Sequence, residues 1–409
     1  MKTPLARPDF ARLWSAALFS EAGEWILQVA LPLQVYALTG SAASTAATMV
    51  LGLLPAVVLS PAAGVLADRF DRRLVLLFAC AGQCLAVLPL LALGANGPLT
   101  LFYVVMGAQA AVASVIEPAR NALVPGLVGA ADVTTANALI GLNATLARLA
   151  GAWLGGVLLA TGGLPAVVVV YLVTTGCAVA LLVAPFARTA VLTEPGERTG
   201  ALRSWLDGLG EFVRDTRLRV TGVVIVLISC AQGMFLLLFV LFVTGPLGGG
   251  EAEVGLLRGV QAIGGLAAGA VLAVLGRRLV PGALFGWGVL AFALISFVIW
   301  NGPELTVALG VYVGLFILVG APGVVLNTGM LSLLQTGSAP AMTGRVLSTA
   351  FAVGAAGNVA GMLAAGWLAG TAGLPALLNV QAGLLLVAGL LALAGHRATK
   401  RTPVTSRAG

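Results

Sequence analysis

Long apolar runs separated by short polar loops fill most of the chain. A helix needs about 20 predominantly apolar residues to cross the hydrocarbon core of a bilayer, and twelve runs reach that length. The pattern therefore predicts an all-α integral membrane protein with twelve transmembrane helices. The runs fall at 10–38, 44–67, 74–95, 99–126, 133–160, 165–187, 218–244, 254–275, 279–300, 303–334, 341–370 and 374–395.

One long polar stretch, 188–217, separates the runs into two sets of six. Apolar residues recur at helical spacing within it, which predicts a short amphipathic helix on the membrane surface. We therefore expect three parts. Residues 1–187 form an N-terminal six-helix bundle, 188–217 form a cytoplasmic linker, and 218–409 form a C-terminal six-helix bundle with a cytoplasmic tail.

The two sets of runs resemble each other in sequence. AAGVLADRFDRRLV at 62–75 aligns with AAGAVLAVLGRRLV at 267–280, and AGAWLGGVLLATGGLP at 150–165 aligns with AGMLAAGWLAGTAGLP at 360–375. Internal repeats of this kind are typical of secondary transporters, whose substrate site lies between the repeats near the bilayer midplane.

Composition excludes a water-soluble protein. Hydrophobic residues make up 59% of the chain and charged residues 9%, with a mean hydropathy of +1.05. Soluble domains carry about a quarter charged residues, and their limited buried volume cannot hide this much apolar surface. The lipid bilayer is therefore an expected partner of the chain.

The distribution of charge predicts the orientation of the helices. The net charge is +7, but Lys and Arg lie in loops on one side of the predicted helices. The opposite loops carry Glu251, Glu253 and Glu304 and no basic residue. This positive-inside pattern places both termini in the cytoplasm. We expect a multi-pass protein of the cytoplasmic membrane that does not bind nucleic acid.

The chain lacks the residue clusters that membrane enzymes use. Its single histidine, His396, lies in the tail, and its four cysteines lie inside apolar runs without metal-ligand spacing. A membrane-embedded lipid enzyme is the alternative, and it would need a nucleophile, an acid–base pair or a metal site. We therefore predict no enzymatic activity, no cofactor and no metal.

Residues 64–73 read GVLADRFDRR. This segment resembles the signature loop of the major facilitator superfamily, G-x-L-a-D-R-x-G-R-R, between the second and third helices, with Asp71 in place of a glycine. The segments that begin at Glu21 and Glu117 resemble macrolide-efflux and enterobactin-exporter-like proteins, the drug and siderophore exporter branch. The resemblance extends over essentially the whole chain.

The resemblance implies the major facilitator fold, with two six-helix bundles in a monomer. It also implies alternating access and export of small, largely apolar or amphiphilic molecules, of the drug, antibiotic or siderophore type, in exchange for protons. Proton-coupled uptake of a small metabolite is the alternative. An apolar cavity with few polar anchors suits amphiphilic substrates better than sugars or phosphates.

Two departures from the family pattern concern coupling. The fifth run contains Gly151, Gly155 and Gly156, which resemble the glycines of the antiporter motif G-P-x-x-G-G, but Ala152 stands at the proline position. The arginine of the family's fourth helix would fall near Val104, where no arginine occurs. Proton-coupling schemes that need that arginine therefore do not apply.

Charged residues inside the predicted helices are costly to insert and need a reason. Glu21, Glu24 and Gln28 form a polar stripe at i, i+3 and i+7 on the first run. We expect a proton-coupling and substrate-contacting face, or else a solvated cavity wall. Arg148 stays charged and needs a counter-charge, for which we predict Glu24 or Glu21. A purely structural ion pair is the alternative.

Charged residues near the signature loop predict a conformational latch. In the resembled family an acid on the fourth helix pairs with arginines of this loop, so we expect Glu117 to pair with Arg72. We expect Asp68 to face the N-terminus of the eleventh helix, where the dipole favours a negative charge. The predicted group consists of Gly64, Asp68, Arg69, Arg72, Arg73, Glu117 and Arg120.

Several isolated polar or aromatic residues are candidates for the substrate cavity. Each is also explained by packing or by a hydrogen bond between helices. Arg258 lies near Glu251 and Glu253 and is predicted to snorkel or to form a surface pair. The candidates are Tyr36, Gln232, Phe235, Gln261, Asn327 and Asn358.

Overall fold

Helices joined by short turns account for nearly all of the described chain. The structure, a computed structural model, describes residues 4–55, 58–59, 70–93, 97–129, 132–186, 216–275, 280–337 and 343–401. The helices are α1 (Pro8–Thr39), α2 (Ala42–Leu51), α3 (Arg72–Leu93), α4 (Leu99–Ala113), α5 (Ile116–Val128), α6 (Val133–Val183), α7 (Thr216–Thr244), α8 (Glu251–Leu275), α9 (Pro281–Asn301), α10 (Leu309–Gly337), α11 (Thr343–Leu368) and α12 (Leu374–Arg401).

The long helices match the predicted membrane spans. Within the described ranges, nine helical stretches are long and apolar enough to cross a membrane. The run predicted at 99–126 consists of α4 and α5, and most of the run at 44–67 beyond α2 lies outside the described residues. These spans confirm an all-α membrane protein and are consistent with twelve helices.

The helix α6 contains two of the predicted spans. Its backbone leaves the helical conformation at Gly163, where φ is 64° and ψ is −169°. Glycine has no Cβ and tolerates this positive φ, and Pro165 follows with no N–H to continue the helical bonding. The break separates the predicted runs 133–160 and 165–187.

Helix packing divides the chain into two compact units. Unit 1 comprises Met1–Glu197 with Phe239–Ala262, and unit 2 comprises Arg198–Leu238 with Ile263–Gly409. The end of α7 and the first half of α8 therefore pack with unit 1, although the sequence assigned them to the C-terminal bundle. The predicted linker lies almost entirely outside the described residues, so its boundaries stay a prediction.

Unit 1 is built on a close crossing of α1 with α6. A Cβ atom at Gly151 would lie 2.5 Å from the carbonyl oxygen of Ala22, and one at Gly155 would lie 2.7 Å from that of Ile26. A Cβ atom at Gly156 would collide with the backbone of α8 at Glu251. Small residues allow this approach where water does not drive helices together.

Unit 2 contains the corresponding crossing between α7 and α11. A Cβ atom at Gly361 would collide with the carbonyl oxygen of Cys230, and one at Gly233 would collide with that of Asn358. Farther along the same unit, Phe285 and Val289 of α9 form a core with Leu385 of α12. Unit 2 is therefore held by interlocked helix backbones and an apolar core.

Candidate functional site

A cavity of about 630 Å³ lies within unit 1. Its wall combines apolar side chains, such as Trp25 and Met106, with polar and charged ones. The polar lining comprises Ser20, Glu21, Glu24, Gln28, Gln109, Ser114, Glu117, Arg120 and Asn121. A pocket of this size with mixed walls can hold a small amphiphilic molecule.

The polar stripe of α1 lies along this cavity. Glu21, Glu24 and Gln28 all line it, because residues three and four apart share one helix face. Gln28 is exposed, whereas Glu21 and Glu24 are half-buried. One face of α1 therefore contributes two carboxyl groups and an amide to the cavity.

Glu21 forms an ion pair with Arg120 of α5 across the cavity wall. The Glu21 and Arg120 side chains are 16% and 12% exposed. Arg148, which we predicted as the partner of the glutamates, forms no ion pair with either of them within the described part of the chain. The prediction was wrong for Glu21 in this conformation, because the next helix that lines the cavity supplies a closer arginine.

Glu24 is held by an amide and not by a cation. The Gln83 Nε2 group donates to the Glu24 carboxylate at 3.2 Å. Among the residues that the structure describes, no arginine or lysine lies within ion-pair distance of Glu24. The two glutamates of the stripe, one turn apart, therefore have different partners.

A hydrogen-bonded chain of buried polar groups continues from Glu24 through unit 1. The Gln109 Nε2 group donates to the carbonyl oxygen of Gln83 at 2.8 Å. The Tyr171 hydroxyl donates to Gln109 Oε1 at 3.0 Å. The sequence analysis missed these three residues. Their signal in the sequence was a single amide side chain in each of the helices α3 and α4, Gln83 and Gln109.

Arg148 and Arg258 lie elsewhere in unit 1, on α6 and α8. The Nε atom of Arg148 is buried and has no hydrogen-bond partner within the described residues. The Arg258 guanidinium carbon lies 5.9 Å from the ring centroid of Trp25, a cation–π distance. Arg258 is half-buried, and its predicted snorkelling or surface pair stays a prediction.

The candidates in unit 2 lie in a neutral setting. Phe235 is buried with its ring 6.0 Å from that of Trp300, which matches the packing alternative. Trp300 Nε1 donates to Gln381 Oε1 at 2.9 Å. Asn358 Oδ1 is buried without a hydrogen-bond partner in the described chain, and Asn327 is exposed. Tyr36 and Gln232 do not line the cavity of unit 1.

The sequence profile of the Major Facilitator Superfamily matches residues 13–361. The chain belongs to this superfamily. An uncharacterised superfamily transporter, YfiS of Bacillus subtilis, is 26% identical over 97% of this chain and 96% of its own length. The enterobactin exporter EntS of Citrobacter koseri is 33% identical over 38% of each chain. Macrolide efflux protein A of Streptococcus pyogenes is 32% identical over 31% of each chain.

Solved structures share the major facilitator fold of this chain. An inward-facing bacterial homologue of the iron transporter ferroportin superposes with a TM-score of 0.73 at 18% identity, covering 95% of this chain and 98% of that one. The nucleoside transporter NupG superposes with a TM-score of 0.78 at 12% identity, covering 95% of this chain and 99% of its own. These similarities confirm the predicted fold. The family profile identifies the chain as a transporter of this superfamily.

The superfamily's signature loop is described only at its end. Gly64, Asp68 and Arg69 lie outside the described residues. Asp71 precedes α3 and accepts hydrogen bonds from the N–H groups of Arg73 at 2.8 Å and Leu74 at 3.2 Å. The aspartate that replaces the family's glycine therefore caps the N-terminus of α3.

Arg73 links this loop to the end of α6. Its Nε atom donates to the carbonyl oxygen of Leu182 at 2.7 Å, and its guanidinium also contacts the carbonyl of Val183. Arg12 of α1 donates to the carbonyl oxygen of Leu181 at 3.0 Å. The last carbonyl groups of a helix lack partners within it and carry partial negative charge. Arg12 and Arg73 therefore cap the C-terminus of α6.

The remaining part of the predicted latch is Glu117. It is exposed on α5, one turn before Arg120, and it lines the same cavity as the two glutamates of α1. Its pairing with Arg72 stays a prediction.

Proposed function

We propose that this superfamily transporter exports small, largely apolar or amphiphilic molecules across the cytoplasmic membrane, by alternating access and in exchange for protons. One observation carries the proposal. The cavity of unit 1 combines apolar walls with two carboxyl groups of α1 that have different partners, an arginine for Glu21 and an amide for Glu24.

The carboxyl groups are the proposed proton carriers. An ionised carboxylate in apolar surroundings is costly unless a cation pairs with it, and otherwise it takes up a proton. Glu24 is hydrogen-bonded to the neutral amide of Gln83. Its carboxyl group can therefore exchange a proton when its surroundings change. We propose Glu24 as the main carrier, assisted by Glu21.

Arg120 replaces Arg148 as the proposed switchable cation. An arginine close to a carboxylate favours the ionised form, and its departure favours the protonated form. If Arg120 approaches Glu24 in one state and Glu21 in the other, proton binding at Glu24 alternates with the conformational cycle. This alternation supplies the exchange of one proton for substrate in each cycle.

The relatives support the direction of transport. EntS is named an enterobactin exporter and macrolide efflux protein A an efflux protein, and both align with part of this chain. We therefore propose antibiotic- or siderophore-type molecules as substrates. We also propose the monomer as the transport unit, because the cavity lies within one unit of one chain.

A substrate panel tests the proposal. The chain is expressed in a host whose own efflux pumps are deleted, and growth and cell-associated compound are measured with and without an uncoupler. We expect lower accumulation of at least one amphiphilic compound than in the empty-vector strain, and we expect the uncoupler to remove this difference. Energised accumulation inside the cells would identify uptake, and export that persists with the uncoupler would exclude proton coupling.

Orientation in the membrane is tested separately. We propose that both termini lie in the cytoplasm, because every loop on the other side lacks Lys and Arg. In a cysteine-free background, an impermeant thiol reagent added to intact cells should label Leu305→Cys, whose native side chain is 90% exposed. Arg198→Cys should be labelled only after lysis. The reverse pattern would overturn the orientation.

A further inference from the structure

Two arginines meet where α6 crosses α8 in unit 1. A Cβ atom at Gly255 of α8 would lie 2.5 Å from the carbonyl oxygen of Ala152 of α6, so the two backbones touch there. Arg148 lies one turn before Ala152, and Arg258 lies one turn after Gly255, so each shares a face with its contact residue. A Cβ atom at Gly259 would lie 2.9 Å from the carbonyl oxygen of Leu149, so the residues next to Arg258 and Arg148 are also in contact.

The same place holds buried donors without acceptors. Arg148 Nε and Gln261 Nε2 are both buried and have no hydrogen-bond partner among the residues that the structure describes. Gln261 lies one turn after Arg258 on α8. Arginine offers only donors, and leaving buried donors unpaired is costly. An oxygen anion placed between these helices would supply the missing acceptors through charge-assisted bonds.

The acidic groups of unit 1 do not neutralise Arg148. Glu21 pairs with Arg120, and Glu24 accepts from Gln83. Glu253, at the start of α8, accepts from the N–H of Gly250. Within the described part of the chain, no carboxylate lies within ion-pair distance of Arg148.

Apolar surface joins this cationic place to the cavity. Trp25 lines the cavity, and its ring faces the Arg258 guanidinium. Ala144, one turn before Arg148, also lines the cavity. A molecule with an apolar body in the cavity could therefore extend an anionic end past Trp25 toward the arginines.

We propose that Arg148, Arg258 and Gln261 bind an anionic oxygen group, a carboxylate or phosphate, at one end of an amphiphilic substrate. The assignment rests on the proposed function for the claim that substrate occupies the cavity, and it adds the chemical class of that substrate. An anionic lipid headgroup carries the same chemistry, so the test separates the two sources.

A matched pair of fluorescent probes tests the proposal on the purified full-length protein in nanodiscs of zwitterionic lipid. The probes are 11-(dansylamino)undecanoic acid and its methyl ester, which differ only in the anionic end. Binding is measured at pH 8 by energy transfer from tryptophan, with empty nanodiscs subtracted. We expect the acid to bind at least about tenfold more tightly than the ester, since a hydrogen bond to a charged group contributes that much.

Arginine variants show whether this preference arises at the proposed place. Arg148→Gln and Arg258→Gln should each lose most of the acid preference while ester binding stays unchanged. Arg148→Lys, which keeps the charge, should retain part of it. The control Arg219→Gln changes an exposed arginine at the start of α7 and should keep the full preference.

Three results would overturn the assignment. Equal binding of acid and ester to the wild type would exclude the proposed anion site. This result does not depend on whether the arginine variants fold. An unchanged preference in both Gln variants would place the anion elsewhere. Loss of the wild-type preference in nanodiscs with anionic phosphatidylglycerol would assign the arginines to a lipid headgroup. The binding experiments do not require transport. Their results can therefore be interpreted even if the chain shows no proton-driven export.

Discussion

The two units use the same helix crossing. In unit 1, Gly151 of α6 meets the carbonyl oxygen of Ala22 in α1, and in unit 2, Gly361 of α11 meets that of Cys230 in α7. The sequence repeat aligns these two glycines. In both units the contact is backbone against backbone, with no room for a side chain.

The side chains beside the crossing differ in chemistry. Two residues after Ala22 stands Glu24, and two residues after Cys230 stands Gln232. Three residues before the glycine, unit 1 has Arg148 and unit 2 has Asn358. Glu24 and Arg148, the two ionisable groups beside the crossing of unit 1, thus each have an amide at the matching position of unit 2.

The difference extends over the spans of each unit. No Asp, Glu, Lys or Arg occurs at 220–238, 305–337 or 346–396 of unit 2, whereas unit 1 carries an ion pair, an amide-bound carboxyl group and two arginines. Charge inside a membrane is costly and marks function more often than packing. The comparison supports the proposal that proton coupling resides in unit 1, because these spans of unit 2 carry no ionisable Asp, Glu, Lys or Arg side chain.

The largest expected difference between the units concerns the cost of breaking a polar pair. Glu21→Ala leaves Arg120 as an uncompensated buried charge and should cost about 3–5 kcal/mol. Gln381→Ala leaves only the neutral Trp300 N–H group unpaired and should cost about 1–3 kcal/mol. The apparent unfolding temperature of the purified protein compares them.

A double variant checks the origin of this cost. Glu21→Ala with Arg120→Ala removes both charges and should recover part of the lost stability. Equal shifts for Glu21→Ala and Gln381→Ala would show that charge does not distinguish the units.

The glycine crossing should respond equally in both units. Gly151→Val and Gly361→Val each force atoms into backbone and should cost about 1–3 kcal/mol, as overpacking does. Thermal unfolding and the yield of folded protein measure the effect. Gly141→Val and Gly383→Val are matched controls, since a Cβ atom at either position has no neighbour within 4 Å. A loss confined to one unit would show that the crossings are not equivalent.

The smallest expected effect on stability distinguishes Arg73 from Arg72, two neighbouring arginines of the signature loop. Arg73→Gln removes the cap on α6 and should lower stability by about 1 kcal/mol. Arg72→Ala should leave the unfolding temperature unchanged and abolish transport, because the predicted latch sets the balance between conformations. The repeat matches Arg73 with Arg278 of the second half, so Arg278→Gln should resemble Arg73→Gln. Normal transport by Arg72→Ala would exclude the latch.

The sequence alone predicted the fold, because the length of the apolar runs and the signature loop can both be recognised in the sequence. It also predicted the stripe of Glu21, Glu24 and Gln28, since helical period fixes a shared face. The partners were harder to predict. Pairing of Glu21 with Arg120, and of Glu24 with Gln83, depends on which helices line the cavity. Neither charge nor spacing in the sequence contains that information.

The central claim is that Glu24 carries the exchanged proton, and one reconstitution tests it most directly. Wild type and Glu24→Gln are reconstituted in liposomes with a compound that the panel identifies. Counterflow and transport driven by a pH gradient are then measured side by side. Glu304→Gln, which changes an exposed carboxylate, is the control and should keep both activities. The Glu24→Gln substitution places an amide where unit 2 has Gln232. We predict that this variant retains counterflow and loses gradient-driven transport. Gradient-driven transport at the wild-type level in Glu24→Gln would contradict the account.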